Sequence, residues 1–161
     1  MNTSLQTLRW QWLALGEMGP EQVYALLQLR ARVFVVEQNC PYLDADGKDL
    51  KPGVEHLLAW DEQTLVACLR LIPPGGSFAE RSLGRIVTAP EWRGSGLGHA
   101  LMQRGMAKCH AQWPGEPLRI GAQAHLEKFY AQHGFEVASE PYLEDDIPHI
   151  EMLCRVSPPT S

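Results

Sequence analysis

A chain of 161 residues is expected to form one domain and can bury a core without staples. Its formal net charge of −5 argues against a general nucleic-acid binder, which would present a basic face. There is no run of about 18 apolar residues and no basic-then-apolar N-terminal pattern, so the reading is a cytoplasmic protein with no membrane contact.

Residues 5–15 read as a first strand. Gly19-Pro20-Glu21 then starts a helix, with Pro at the first helical position and an acid in the first turn. Val23, Leu26, Leu27 and Phe34 recur at helical spacing up to about Glu37. Residues 41–53 are polar, turn-rich and acidic, which reads as a loop or a short irregular helix. Residues 56–60 and 64–72 form two antiparallel strands joined by Asp61-Glu62-Gln63, and Pro73-Pro74-Gly75-Gly76 breaks the chain. Residues 82–88 are the next strand. A glycine-rich turn follows, then a helix with Leu97, Leu101, Gly105 and Cys109 along one stripe, ended by Trp113-Pro114-Gly115. Residues 118–122 make a short buried strand. Residues 125–133 make a third helix, with Gly134 just past its end. Residues 135–141 and 149–156 close the fold as an antiparallel pair, and 157–161 read as a frayed tail. The sum is one domain over residues 1–156, a mixed α/β sheet with helices on its faces.

The chemistry starts at Arg93-Gly94-Ser95-Gly96-Leu97-Gly98, between a strand and a helix. Glycines there let the backbone approach a ligand, and the helix start offers unbonded N–H groups where the dipole is positive. That is a pyrophosphate cradle. A dinucleotide fingerprint would need glycine at His99 and a loop after the first strand, so it fails. A P-loop would need Gly-Lys-Ser/Thr, which is absent. The pattern R-x-x-G-x-G remains, carried by Arg93, Gly96 and Gly98. The four cysteines, Cys40, Cys68, Cys109 and Cys154, lack any C-x-x-C spacing and read as reduced, mostly buried thiols. No histidine spacing supports a metal, and Asp44-Ala45-Asp46-Gly47 fails as a calcium loop because its glycine is early and its last glutamate missing.

Downstream lies Phe129-Tyr130-Ala131-Gln132-His133-Gly134-Phe135. With the glycine loop and one short strand between, it resembles the GNAT superfamily of N-acetyltransferases. Phe34-Val35-Val36-Glu37-Gln38-Asn39-Cys40-Pro41-Tyr42, Gly121-Ala122-Gln123-Ala124-His125-Leu126 and Ile147-Pro148-His149-Ile150 resemble its ElaA-type branch. The resemblance implies a GNAT-like fold, a central, mostly antiparallel sheet with helices on both faces. It implies an enzyme that moves the acetyl group of acetyl-CoA to a primary amine by direct attack through a tetrahedral intermediate. The alternative is an acyl-CoA sensor that binds without turnover.

Carried onto this chain, the resemblance assigns cofactor contacts to Arg93, Gly94, Ser95, Gly96, Leu97, Gly98 and His99. The edge of the strand at Ile86, Val87 and Thr88 would pair with the pantetheine amides, and the Val87 N–H would face the oxyanion. Tyr130 matches the family tyrosine that protonates the departing thiolate. His149 and Glu37 compete as base, and Gln123, beside His125, stands where an asparagine often contacts the cofactor. Asp44, Asp46 and Asp49, with Glu144, Asp145 and Asp146, are either a negative rim that attracts a cationic amine or two solvated loops. The acceptor is a small molecule or a protein amine. GNAT-like proteins are often dimers, which leaves a homodimer open although no apolar stripe argues for one.

Overall fold

The computed structural model describes residues 5–155. The expected tail at 157–161 and the end of the last strand at Val156 lie outside them. In chain order the elements are β1 (Arg9–Leu13), α1 (Pro20–Arg30), β2 (Glu55–Asp61), β3 (Thr64–Ile72), β4 (Ser82–Thr88), α2 (Leu97–Gln112), β5 (Leu118–Gln123), α3 (Glu127–Ala131), β6 (Glu136–Val137), β7 (Tyr142–Glu144) and β8 (Ile147–Cys154). The fold is mixed α/β, as expected. Strands β1-β2-β3-β4 form one antiparallel sheet, and β5 pairs β8, whose other edge carries β6 and then β7.

The two sheets meet at one point. Arg81 and Leu118 form a parallel bridge, and the Arg119 N–H donates to the Arg81 carbonyl at 3.1 Å. Beyond it β4 and β5 share no ladder among the described residues, so each turns an unpaired edge to the gap. Alternation along β2 and β3 sends Leu57, Ala59, Leu69 and Leu71 to the α2 face, with Leu97, Leu101 and Met102. Leu58, Trp60 and Cys68 go to the α1 face, with Leu26, Leu29 and Val33. Helices therefore cover both faces. Helix α2 approaches closely because Gly105 lies on Leu69 and Leu83. No helix among the described residues is long and apolar enough to cross a membrane.

Three expectations need correction and one gains detail. The first strand covers only Arg9–Leu13, because short 3-10 turns at Leu5–Thr7 and Leu15–Glu17 bound it, the second closed by the Ala14 N–H donating to Glu17 Oε1 at 2.8 Å. The first helix runs to Glu37 as expected, but its last part, Ala31–Glu37, is wound as a π-helix. The third helix is a 3-10 turn, Ala124–Leu126, followed by a short α3. The closing pair is a broken one. β6 has two residues, and the longer partner of β8 is β7, joined to it by a two-residue turn in which Asp145 (φ 50) and Asp146 (φ 63) are both left-handed.

Candidate functional site

The gap between β4 and β5 opens into a cavity of about 840 Å³. Of the residues expected at the site, Ile86, Gln123, Tyr130 and His149 line it. Phe34 and Gln38 from the π-helical segment, Tyr42 and Asp46 from the loop 41–53, and Tyr142 from β7 complete much of the wall. Glu37, Arg93 and the glycine loop are outside that lining, as is His125, which is exposed.

The loop geometry decides which amides can meet an anion. Gly94 (φ 79) and Gly96 (φ 87) adopt left-handed backbone, which a side chain would strain. The Arg93 N–H donates to the Pro90 carbonyl at 3.2 Å, that of Ser95 to the Trp92 carbonyl at 3.3 Å, and that of Leu97 to Ser95 Oγ at 3.2 Å. The N–H groups of Gly94, Gly96, Gly98 and His99 have no such partner among the described residues. The cradle is thus narrower than the sequence suggested. It reaches one turn into α2, where the helix dipole adds to it. His99 Nδ1 lies 2.8 Å from His133 Nε2, and its ring stacks on Phe129 at 4.7 Å.

Strand β4 carries a bulge. Val87 pairs Cys68 and Gly84 pairs Arg70, so Arg85 and Ile86 together face Leu69, and Arg85 is left-handed at φ 48. The Ala89 N–H donates to the Val66 carbonyl at 2.8 Å. By ladder alternation Val87 then turns its N–H toward β3, while Ile86 and Thr88 turn theirs to the gap. The Val87 side chain is buried on the α1 face. Val87 therefore has no amide to offer an oxyanion, and the outward amides are its two neighbours.

Tyr130 is 5% exposed, and its hydroxyl has no hydrogen-bond partner among the described residues. Its ring packs edge-on against Phe129 at 5.1 Å and Phe135 at 6.1 Å, which aims the phenol into the cavity. Burial raises its pKa, so the proton is held at neutral pH. His149 Nδ1 is 2.7 Å from the Ile147 carbonyl. A carbonyl only accepts, so Nδ1 carries the hydrogen and the neutral ring keeps its lone pair on Nε2. That nitrogen is 3.4 Å from Glu144 Oε2, and the ring stacks on Tyr142 at 5.9 Å.

Glu37 is elsewhere. Its carboxylate forms a forked pair with Arg93, one arm at 2.7 Å, which links the end of the π-helical segment to the glycine loop. The hydrogen bond from Arg93 lowers its pKa, which makes it a poorer proton acceptor. Gln123 and Gln38 exchange two amide hydrogen bonds at 3.1 Å, bridging β5 to the π-helical segment.

The acidic loop is not a negative rim. Asp44 and Asp49 are buried at 8% and 6% exposure, and each meets arginines. Arg30 Nε is 2.8 Å from Asp44, and its Nη1 is 2.8 Å from Asp49. Arg70 reaches Asp46 at 2.9 Å and Asp49 at 3.2 Å, and Arg85 Nε reaches Asp44 at 2.8 Å. Three carboxylates thus balance three guanidinium groups. Burial would push Asp46 up, but Arg70, the Lys48 N–H and Arg85 together outweigh it and hold its pKa at about 2. His56 sits against the cluster at 3.6 Å from Asp49, with neither ring nitrogen hydrogen-bonded. Burial, helped by Arg30 and Arg70, lowers its pKa to about 4. The sequence reading gave no site role to these arginines, to Tyr142, or to Gln38 and Tyr42, which it quoted only as motif residues. A charge inside an apolar strand, as at Arg70, was the available signal.

Three comparisons bear on this arrangement. A profile described as an acetyltransferase (GNAT) domain matches residues 17–156. Protein ElaA of Escherichia coli strain K12 is 44% identical over 149 residues, covering 92% of this chain and 97% of that protein. The crystal structure of an acyl-CoA N-acyltransferase from Pseudomonas aeruginosa is 44% identical and superposes with a TM-score of 0.86, over 91% of this chain and 99% of that one. The crystal structure of Escherichia coli ElaA gives the same TM-score at 42% identity, over 92% and 99%.

Proposed function

The chain belongs to the GNAT acetyltransferase family, and from that premise we propose that it moves the acetyl group of acetyl-CoA to a primary amine by direct attack, through a tetrahedral intermediate. The observation that carries the reading is a set of unbonded amides at the start of α2 together with a buried tyrosine, Tyr130, which lines the cavity and whose hydroxyl has no hydrogen-bond partner among the described residues. Phe129 beside it meets the start of α2 at Gly98 and His99. The P. aeruginosa relative, an acyl-CoA N-acyltransferase, makes acyl-CoA the donor class to try.

These residues fit that donor. The amides of Gly94, Gly96, Gly98 and His99 would take the pyrophosphate, and the open edge of β4 would take the pantetheine amides as an added strand. Acetyl-CoA supplies an activated acyl carbon and a thiolate leaving group. The outward amides of Ile86 and Thr88 would donate to the oxygen where negative charge develops. Nε2 of His149 takes the proton that the attacking nitrogen must lose, directly or through one water. Tyr130 gives its proton to the departing sulfur. Gln123 holds Gln38 across the cleft, and Glu37 holds Arg93 beside the cradle.

Calorimetric titration with acetyl-CoA, run beside a thiol-release assay on an amine panel, tests the reading. Tyr130→Phe should leave cofactor affinity unchanged and slow turnover by about 10²-fold or more, the usual worth of a positioned acid. Unchanged turnover would remove Tyr130 from the chemistry, and no binding of acetyl-CoA would refute the assignment.

A further inference from the structure

The acceptor half of the cavity has a chemistry of its own. Phe34, Tyr42, Phe78 and Tyr142 come from four separate parts of the chain and all present partly exposed rings to it. Tyr142 stacks on His149 at 5.9 Å, so an aromatic ring lies beside the imidazole that would accept the amine proton. Phe78 approaches β5, where its ring tip would lie 3.8 Å from a Cβ added at Gly121.

Charge narrows the class further. The wall arginines Arg70 and Arg85 are already ion-paired with aspartates, so neither is left to receive a substrate carboxylate. Lys48, the remaining lining cation, is turned to Ser77 Oγ at 2.9 Å. The carboxylates of Glu144 and Asp145 also line the cavity, and Glu144 reaches the His149 ring at 3.4 Å. An anionic group next to the reacting nitrogen would face them.

Resting on the N-acyltransferase reading, we infer that the acceptor is a primary amine on a planar, unsaturated body with no carboxylate beside the amine. Aromatic rings pack on such a body in offset or edge-on contact, which a flexible diamine cannot supply. Phe78 and Tyr142 are the specificity-determining side chains.

The test is direct titration of three matched amines into the protein, with and without CoA. 2-Phenylethylamine has the ring and the amine, phenylalanine adds the carboxylate, and putrescine lacks the ring. The arylalkylamine should bind about tenfold tighter than either. Phe78→Leu, which keeps apolar volume but removes the ring, should weaken it about threefold to tenfold and leave putrescine and acetyl-CoA binding unchanged. Tighter binding of phenylalanine or putrescine overturns the inference, and so does no binding of the arylalkylamine. Failure of the underlying reading shows separately, as no acetyl-CoA binding or no thiol release with any amine.

Discussion

Acid should loosen this protein through His56 before its carboxylates titrate. His56 is fully buried on β2, and its pKa falls from 6.5 to about 4. A histidine held neutral in the fold binds its proton first in the unfolded chain. Its contribution is therefore intact above 6.5 and is lost as the pH falls through about 4. Linkage between these two values gives a loss of about 2 kcal/mol between about pH 7 and about pH 5. Asp46 and Asp49 add little in that window, because both are held below their ordinary values and titrate lower still. His56→Leu removes the titrating group and breaks no hydrogen bond, since neither ring nitrogen has one. Urea denaturation at the two pH values is the assay. Wild type should lose about 2 kcal/mol more than the variant, since His110 and His133, also lowered by burial, lose stability in both proteins alike. Equal losses in the two proteins would refute the reasoning, for the proton would then be binding elsewhere.

Two further outcomes follow from packing and pairing. A Cβ at Gly105 would come within 2.8 Å of Leu69 Cδ2 and 3.1 Å of Leu83 Cδ1. Gly105→Val should therefore cost about 2 to 3 kcal/mol in the same denaturation assay despite a better helix former, and an unchanged midpoint would mean that α2 has room to move. Glu37→Gln should change acetyl-CoA affinity by a few-fold through Arg93 and leave kcat within about twofold, whereas removing a general base would cost about 10²-fold or more.

What was legible in the chain was local. The glycine loop could be read because left-handed backbone at Gly94 and Gly96 needs glycine. The start of α1 could be read from Gly19-Pro20; Gly134 marks the turn after α3, left-handed at φ 90, but the helix itself ends earlier, at Ala131. Strand β7 was hidden because its turn uses Asp145-Asp146, while hairpin signals favour a glycine at the second place. The Val87 amide was misassigned for a related reason. A bulge one residue upstream fixes which amides face outward, and nothing in the apolar run announces it.

The acidic loop shows how a buried network escapes a linear reading and where it leaves a trace. Asp44, Asp46 and Asp49 looked like a solvated or substrate-facing cluster because the eye pairs charges with near neighbours. Their partners stand on α1, β3 and β4, at Arg30, Arg70 and Arg85, and no spacing rule connects them. The arginines themselves carried the signal. Arg70 interrupts the apolar strand Thr64–Ile72, seven of whose other residues are buried, so its charge had to be buried and a buried charge demands an opposite one. Buried Arg30 and Arg70, joined by the half-buried Arg85, are met by as many carboxylates from the loop 41–53. Reading those aspartates as structure is also what frees the mouth of the cleft to be judged by its aromatic rings. The loop is held by charge from beneath, and it presents Tyr42 to the cavity from above.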